Sequence, residues 1–330
     1  MDGSARSSGQ TKTLRRLVRV GVSVLIVVAL LTKANPAEFV RALADADIGW
    51  LAIAVVLLPL ATFVRVVSFM VLVNRQDRIL TLRQAAYLTL IGAGVGLFLP
   101  VAVGDLVKAR LASQAHGASE DMMTATILDK LTSLASVAAM GVVGAVMTRD
   151  LGLATVAVVI MVVSSLPFAF PRIVPWRLAL RVVMPRQNID EERLSAAIRT
   201  SAPLLTGVLA ISTFGWTVSY VLIYALCRAL HVHVSAEYVF ATAPFMTLAG
   251  LLPISLGGIG VGQATLSALL ARAGVPLGLA VRVSLLQLGL FILPPLAGLL
   301  LFAIRPLQPS SPKQDVDVTL AAASTDAPAA

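Results

Sequence analysis

Two short stretches, "LFLPVAVGD" at residues 97–105 and "LLPISLGG" at residues 251–258, interrupt long hydrophobic segments half a chain apart. In each, a Leu-Pro pair is followed by three small or apolar residues and then by glycine. Proline removes a backbone donor and clashes with the preceding helical turn, whereas glycine adopts the conformations that a sharp reversal needs. The two stretches therefore predict two helices that break and turn back at corresponding places.

The composition is that of a polytopic membrane protein. Of the 330 residues, 58% are hydrophobic and 13% are charged, and the mean hydropathy is +0.89; soluble domains carry about 25% charged residues. The net charge of +9 comes from basic residues in loops that flank the apolar runs, where they determine topology and contact anionic lipid. Nucleic-acid binding is therefore not predicted. The single cysteine, without a Cys/His cluster, predicts neither a disulfide nor a metal, and no cofactor is expected.

The positive-inside rule orients the chain. The leader, residues 1–16, and the loop 171–200 are basic, and both are predicted to be cytoplasmic. Residues 17–305 are predicted to form one transmembrane domain. Residues 306–330 are predicted to form a disordered cytoplasmic tail. We favour a retained first span at residues 20–32 over a cleaved signal peptide. The predicted location is the cytoplasmic membrane, with multiple passes and both termini in the cytoplasm.

The regions around the two breaks, at residues 97–105 and 251–263, are expected to form hairpins. The uncharged stretch 238–271 is too long for one span of about 20 residues and too short for two spans and a turn. Three full spans separate the breaks, so the hairpins enter from opposite faces. We predict an all-α polytopic membrane protein with about six full transmembrane helices plus two broken, re-entrant helical hairpins in an inverted repeat, as in transporters. Two kinked helices in an ordinary bundle are the alternative.

Several charged side chains fall inside the apolar segments. Arg65 lies past the centre of the second span, where a cation costs at least ~2.5 kcal/mol, so it is expected to bind or pair unless it snorkels. Asp129 and Lys130 are adjacent and therefore point about 100° apart on a helix, so each needs a different partner. Asp105 is expected at the start of the returning helix, as a cap or as part of a site.

Together, these residues predict a cation-rich pocket for the phosphate of a lipid head group. The predicted binding residues are Arg65, Lys108, Arg110, Lys130, Ser255, Gly257, Gly258, Gly260 and Gln263, with Asp105 and Asp129 as charge-balancing carboxylates. Lys108 and Arg110 could instead lie at the membrane interface. No catalytic constellation and no nucleotide-binding motif is present, so enzyme activity is not predicted.

The motifs resemble the transmembrane domain of lysylphosphatidylglycerol synthase and its stand-alone, flippase-like relatives. The resemblance rests on Arg65, "LPVAVGDLVKARL" at residues 99–111, "LDK" at residues 128–130 and "LPISLGGIGVGQATLSALLARAGVP" at residues 252–276. It covers about residues 20–304 and implies movement of a phospholipid or lipid-linked sugar between leaflets. We expect a stand-alone member of this family that corresponds to the membrane part of the two-domain relatives, without their soluble synthase domain.

The chain departs from the family pattern at chemically relevant positions. Relatives typically carry Glu where Gln263 stands, Arg where Lys108 stands, and an acidic residue followed by Arg where Asp129 and Lys130 stand. Lysine keeps the charge but loses the bidentate geometry of arginine. The resemblance therefore implies altered phosphate geometry and a doubtful proton-coupling role at Gln263.

The leading hypothesis is flipping of an anionic or polyprenyl-linked lipid. One alternative is a membrane scaffold that recruits a soluble synthase or glycosyltransferase through the basic loop 171–200. Another is a membrane-embedded lipid transferase, for which Asp105 and Asp129 are the candidate bases. Homo-oligomerisation is left open by the sequence.

Overall fold

The computed structural model describes residues 36–75, 80–97, 101–116, 119–149, 151–169, 202–250 and 260–304, with residues 196 and 198. In this part of the chain, ten helices and no strands form: α1 (Pro36–Ala44), α2 (Ile48–Val73), α3 (Leu82–Gly96), α4 (Val101–His116), α5 (Ser119–Thr148), α6 (Leu151–Ala169), α7 (Ala202–Ala229), α8 (Ala236–Gly250), α9 (Val261–Arg272) and α10 (Leu277–Ile304). Four of them, α2, α5, α7 and α10, are long and apolar enough to cross a membrane. The predicted all-α polytopic membrane fold is confirmed.

Five of the six predicted full spans correspond to helices: α2, α5, α6, α7 and α10. In α6, the apolar stretch Ala154–Leu166 is shorter than in the other four. The predicted first span at residues 20–32, the leader and the tail lie outside the described residues, as does the basic loop 171–200 apart from residues 196 and 198. Those assignments stay predictions.

The long helices pack around an apolar interior. The α2 and α7 helices share an extensive interface and run antiparallel, because the Asp47 backbone N–H at the start of α2 donates to the Ala229 carbonyl at the end of α7 (2.8 Å). The Asp47 carboxylate also caps α2 by accepting from the Trp50 N–H (3.0 Å). Fully buried Tyr220 and Phe69 lie on these two helices. This helix pair carries both Arg65 and the ring beside it, Trp216.

Two pairs of short helices flank the Leu-Pro breaks. The first pair is α3 and α4, with 15 and 16 residues, and the second is α8 and α9, with 15 and 12 residues. Each helix is shorter than the about 20 residues of a full span, and the two members of each pair contact each other. The connecting residues 98–100 and 251–259 lie outside the described part of the chain.

Two local features differ from the sequence-based expectation. First, α4 begins at Val101, so Asp105 lies a full turn inside the helix rather than at its start. Pro100 precedes this helix in the sequence, and proline suits a helix start because it has no N–H to satisfy. Second, the residues between the predicted first span and α2, where the sequence analysis placed no helix, contain α1. Phe39 of α1 packs against Gly289 of α10, where a Cβ would overlap the ring.

The α5–α8 contact offers a test of the packing. A Cβ on Gly144 of α5 would overlap the Cα and carbonyl oxygen of Ala241 on α8, and backbone atoms cannot move aside cheaply. Gly144→Ala is expected to destabilise the protein by about 1–3 kcal/mol through overpacking. The readout is the thermal unfolding midpoint of the purified protein in detergent.

The matched control is Gly207→Ala in α7, where a Cβ meets no atom within 4 Å. Alanine favours helix over glycine by about 1 kcal/mol, so this variant is expected to unfold at the same temperature as the wild type or slightly higher. Equal losses in the two variants would contradict the close α5–α8 approach.

Candidate functional site

A cavity of about 240 Å³ with several charged side chains in its wall lies among α2, α3, α4, α5 and α7, with α10 closing one side. Its wall contains five charged side chains, four hydroxyls and one indole: Arg65, Asp105, Lys108, Asp129, Lys130, Ser68, Thr89, Ser133, Ser212 and Trp216. Pockets that enclose a drug-sized ligand are about 300–1,000 Å³. This cavity therefore has room for a small polar group but not for long acyl chains.

Lys108 is the most deeply buried cation of the cavity, with a side chain 5% exposed. Its Nζ lies 3.1 Å from Asp129 Oδ2, 4.0 Å from Asp105 Oδ1 and 3.9 Å from the centre of the Phe69 ring. The Ser68 hydroxyl donates to the other Asp129 oxygen (3.2 Å). A charge held this far from water needs such pairing to be tolerated. The lysine thereby ties α4 to α5 and α2.

Lys130 pairs with Asp105, with 2.8 Å between Nζ and Oδ2. Its side chain is 42% exposed, so it is far less buried than that of Lys108. Adjacent Asp129 and Lys130 on α5 thus find separate partners on α4. The expectation that the two neighbours do not neutralise each other is confirmed.

Among the three cations that line the cavity, Arg65 forms no ion pair with a described residue. Its side chain is exposed and lines the cavity, and its guanidinium lies 5.4 Å from the centre of the Trp216 ring. The indole N–H of Trp216 donates to Ser133 Oγ (3.1 Å), which fixes the ring under the cation. The cavity wall therefore carries three cations and two carboxylates, a net charge of +1, and both carboxylates form their close ion pairs with the lysines.

Three predicted binding residues are described but lie away from this cavity. Arg110 is exposed and does not line the wall, because it follows Lys108 by two residues and so projects about 200° further round α4. Gly260 and Gln263 are joined to each other at the start of α9, where the amide oxygen accepts from the glycine N–H (2.7 Å). Ser255, Gly257 and Gly258 lie outside the described residues. The structure therefore gathers Arg65, Lys108, Lys130, Asp105 and Asp129.

Sequence reasoning missed the hydroxyls and the indole of the site. Trp216 falls mid-span, whereas tryptophan usually marks the membrane interface, and that unusual position was the available signal. Gly92 also matters, because a Cβ there would meet Lys108 Cβ at 3.0 Å and the Gly104 carbonyl oxygen at 3.1 Å. Glycine at this position lets α3 and α4 approach closely enough to close the cavity.

Membrane-length helices that surround a charged cavity define a polytopic integral membrane protein with a polar site inside its helical bundle. Comparison with protein families gives a match to the family described as "Lysylphosphatidylglycerol synthase TM region" over residues 16–307. The chain belongs to this family, as its motifs indicated, and is a lipid-related membrane protein. Comparison with curated proteins gives no match.

The unequal burial of the two lysines gives a stability test. Asp129→Ala leaves Lys108 buried without its 3.1 Å partner, and loss of one member of a buried pair costs about 3–5 kcal/mol. Asp105→Ala strands the half-exposed Lys130, which water can solvate, so the expected loss is smaller. Thermal unfolding in detergent measures both.

The double variant Lys108→Met/Asp129→Leu replaces the buried pair by apolar groups and is expected to recover most of the stability lost in Asp129→Ala. A larger loss for Asp105→Ala than for Asp129→Ala would contradict the assigned pairing.

Proposed function

We propose that this protein translocates a phospholipid or a lipid-linked head group across the cytoplasmic membrane, with the phosphate bound in the cavity. The observation that carries the proposal is Arg65, exposed in a cavity between membrane helices without an ion-pair partner among the described residues. A cation at such a depth is costly and marks function by default. A guanidinium offers two parallel N–H donors that match two phosphate oxygens.

The size of the cavity supports a lipid as the cargo. About 240 Å³ accommodates a phosphate and a small substituent, so the acyl or prenyl chains of the cargo stay in the bilayer while the head group crosses through protein. A path of this kind lowers the main barrier to lipid exchange, which is the transfer of the polar head group through hydrocarbon.

The two pairs of short helices supply a way to expose the cavity to either face. In the proposal, α3–α4 enters from the cytoplasmic side and α8–α9 from the outer side, as re-entrant hairpins of an inverted repeat. Support comes from their lengths of 12 to 16 residues, which are shorter than a full span of about 20 residues. The chain order also supports it, since α3–α4 follows the end of α2 and α8–α9 follows the end of α7. Both termini are then cytoplasmic, and lipid or ion gradients would drive the movement.

The alternatives receive less support. A transferase needs a free general base, but Asp105 and Asp129 are each held by a lysine at 2.8 and 3.1 Å, and we therefore propose that the protein is not an enzyme. A scaffold that recruits a soluble synthase or glycosyltransferase would depend on the basic loop 171–200. Deleting that loop would abolish capture of the partner by a scaffold and leave lipid movement by a translocase intact.

The test is lipid movement in proteoliposomes, measured as the loss of fluorescence when a membrane-impermeant quencher reaches labelled lipids. The wild type is expected to accelerate transbilayer movement of an anionic lipid. Arg65→Ala is expected to slow it at least about ten-fold by removing the phosphate ligand. Arg65→Lys should give an intermediate rate, because the charge remains without the bidentate geometry.

Arg83→Ala is the matched control, because Arg83 is an exposed arginine at the start of α3 and does not line the cavity. It is expected to behave as the wild type. The proposal fails if the wild type moves no anionic or polyprenyl-linked lipid, or if Arg65→Ala and Arg83→Ala move lipid equally fast.

A further inference from the structure

A chain of three aromatic rings extends from the cavity to α8. The Arg65 guanidinium lies over the Trp216 ring, 5.4 Å from its centre. Trp216 stacks on Tyr220, one turn further along α7, with ring centres 6.0 Å apart and an angle of 30° between the ring planes. The Tyr220 ring meets the Phe240 ring of α8 edge to face, with centres 6.4 Å apart. Successive contacts therefore link the cation of the cavity to the second pair of short helices.

Tyr220 contacts α8 on both sides of a proline. Its hydroxyl lies 3.4 Å from the Thr247 hydroxyl, so the side chain contacts α8 at Phe240 and again two turns later. Pro244 lies between these two positions inside the helix. Proline cannot donate the N–H that would bind the Phe240 carbonyl, and helices kink at such positions. Since Tyr220 is fully buried, a bend at Pro244 would alter at least one of its two contacts.

The two halves of α8 are held differently. Before the proline, Ala241 lies so close to Gly144 of α5 that a Cβ on the glycine would overlap the Ala241 backbone. After the proline, residues 245–250 lead into the second Leu-Pro break. A Cβ on Gly262 of α9 would lie 3.5 Å from the Met246 carbonyl oxygen. The first half is thus fixed to α5, and a displacement of the second half would be passed on to α9.

We infer that Tyr220 is a positioning residue that couples phosphate binding at Arg65 to the position of residues 245–250. The inference rests on the proposed function and adds a means by which the cavity and the second pair of short helices change together. An aromatic ring attracts the net charge of the cation above it. A lipid phosphate bound to Arg65 compensates that charge, so the guanidinium holds the Trp216 ring less strongly. The stack on Tyr220, and with it the two contacts to α8, is then free to change.

Linkage makes this coupling reciprocal. A phosphate that favours one arrangement of residues 245–250 binds Arg65 more tightly, by the same factor, when that arrangement is already present. Loss of the Tyr220 contacts to α8 therefore removes the dependence of α8 on Arg65 and leaves the cavity itself intact. This dependence distinguishes a positioning residue from one that only stabilises the fold.

The first experiment tests Tyr220→Phe in the proteoliposome assay with fluorescent phosphatidylglycerol as the anionic lipid. The variant keeps the ring and removes the hydroxyl that lies 3.4 Å from Thr247. It is expected to slow lipid movement at least about five-fold, the lower end of typical coupling factors. Tyr224→Phe is the matched control, because the Tyr224 ring lies one turn later on α7 against Trp50, with 6.2 Å between ring centres. This control is expected to move lipid at the wild-type rate.

Thr247→Val removes the same contact from the α8 side. It is expected to slow lipid movement as Tyr220→Phe does, and the double variant is expected to be no slower than either single variant, because both changes delete one contact. The inference fails if Tyr220→Phe and Tyr224→Phe move lipid equally fast, or if the two effects multiply in the double variant, and the proposed function stands in both cases. A wild type that moves no anionic or polyprenyl-linked lipid overturns both.

The second experiment measures the conformation of α8 without lipid movement. In a Cys227→Ser background, which removes the native cysteine, a new cysteine replaces either Ala249 in the second half of α8 or Glu237 in the first half. The readout is the rate of alkylation by N-ethylmaleimide in detergent. Arg65→Ala is expected to change the rate at position 249 at least about three-fold and to leave the rate at position 237 unchanged. In the Tyr220→Phe background, Arg65→Ala is expected to change neither rate.

The inference is contradicted if Arg65→Ala changes the rate at position 249 by the same factor with and without the Tyr220 hydroxyl, or changes it in neither background. The proposed function then still stands, provided that the wild type moves lipid. Thermal unfolding in detergent identifies a purely structural role. A lower unfolding midpoint for Tyr220→Phe, with wild-type lipid movement and a wild-type response to Arg65→Ala, would show such a role and overturn the inference.

Discussion

The site depends on one constraint: a charge that is buried in a helical bundle of this kind is tolerated only with a counter-charge within a few ångströms. The α4 and α5 helices satisfy this constraint with two ion pairs, Lys108–Asp129 and Asp105–Lys130. The cation lies on α4 in the first pair and on α5 in the second. Each ion pair joins a residue of α4 to a residue of α5. Together the two pairs fix the distance between the helices and the rotation of each helix about its axis. With four charges committed, the fifth, on Arg65, is the one left to face the cavity.

The close approach of the α3 and α4 backbones allows these ion pairs to form. Gly92 on α3 lies against Lys108 and Gly104 on α4, and a Cβ on Gly104 would overlap the Gly92 carbonyl oxygen. Helices in a lipid environment gain little from the hydrophobic effect and associate through van der Waals contact, which small residues favour. The glycines in the first break region therefore act mainly as packing residues. They bring α4 to the depth at which its charged residues face those of α5.

The membrane spans and the charged residues inside them could be predicted from the sequence. Contacts between residues that are far apart in the chain could not. The lengths of the apolar runs predict the spans, and the free-energy cost of inserting a charge into a membrane singles out Arg65, Asp129 and Lys130. Both signals can be read from one segment at a time. The contact of Arg65 with Trp216 joins residues far apart in sequence, and no local pattern encodes it. Arg110 was grouped with Lys108 because the two are close in sequence. Two positions on a helix point about 200° apart, so Lys108 lines the cavity and Arg110 does not.

The second pair of short helices is stabilised by neutral polar contacts instead of charge. The Gln263 amide oxygen accepts from the Gly260 N–H, and its nitrogen donates to Gln287 Oε1 on α10 (3.4 Å). One turn further on, the Ser267 and Ser284 hydroxyls pair at 2.8 Å. An ionised glutamate at position 263 could accept from Gly260 but could not donate to Gln287, so the amide suits both partners. These neutral contacts anchor α9 to α10. No described residue of α9 lines the cavity, whose charged side chains come from α2, α4 and α5.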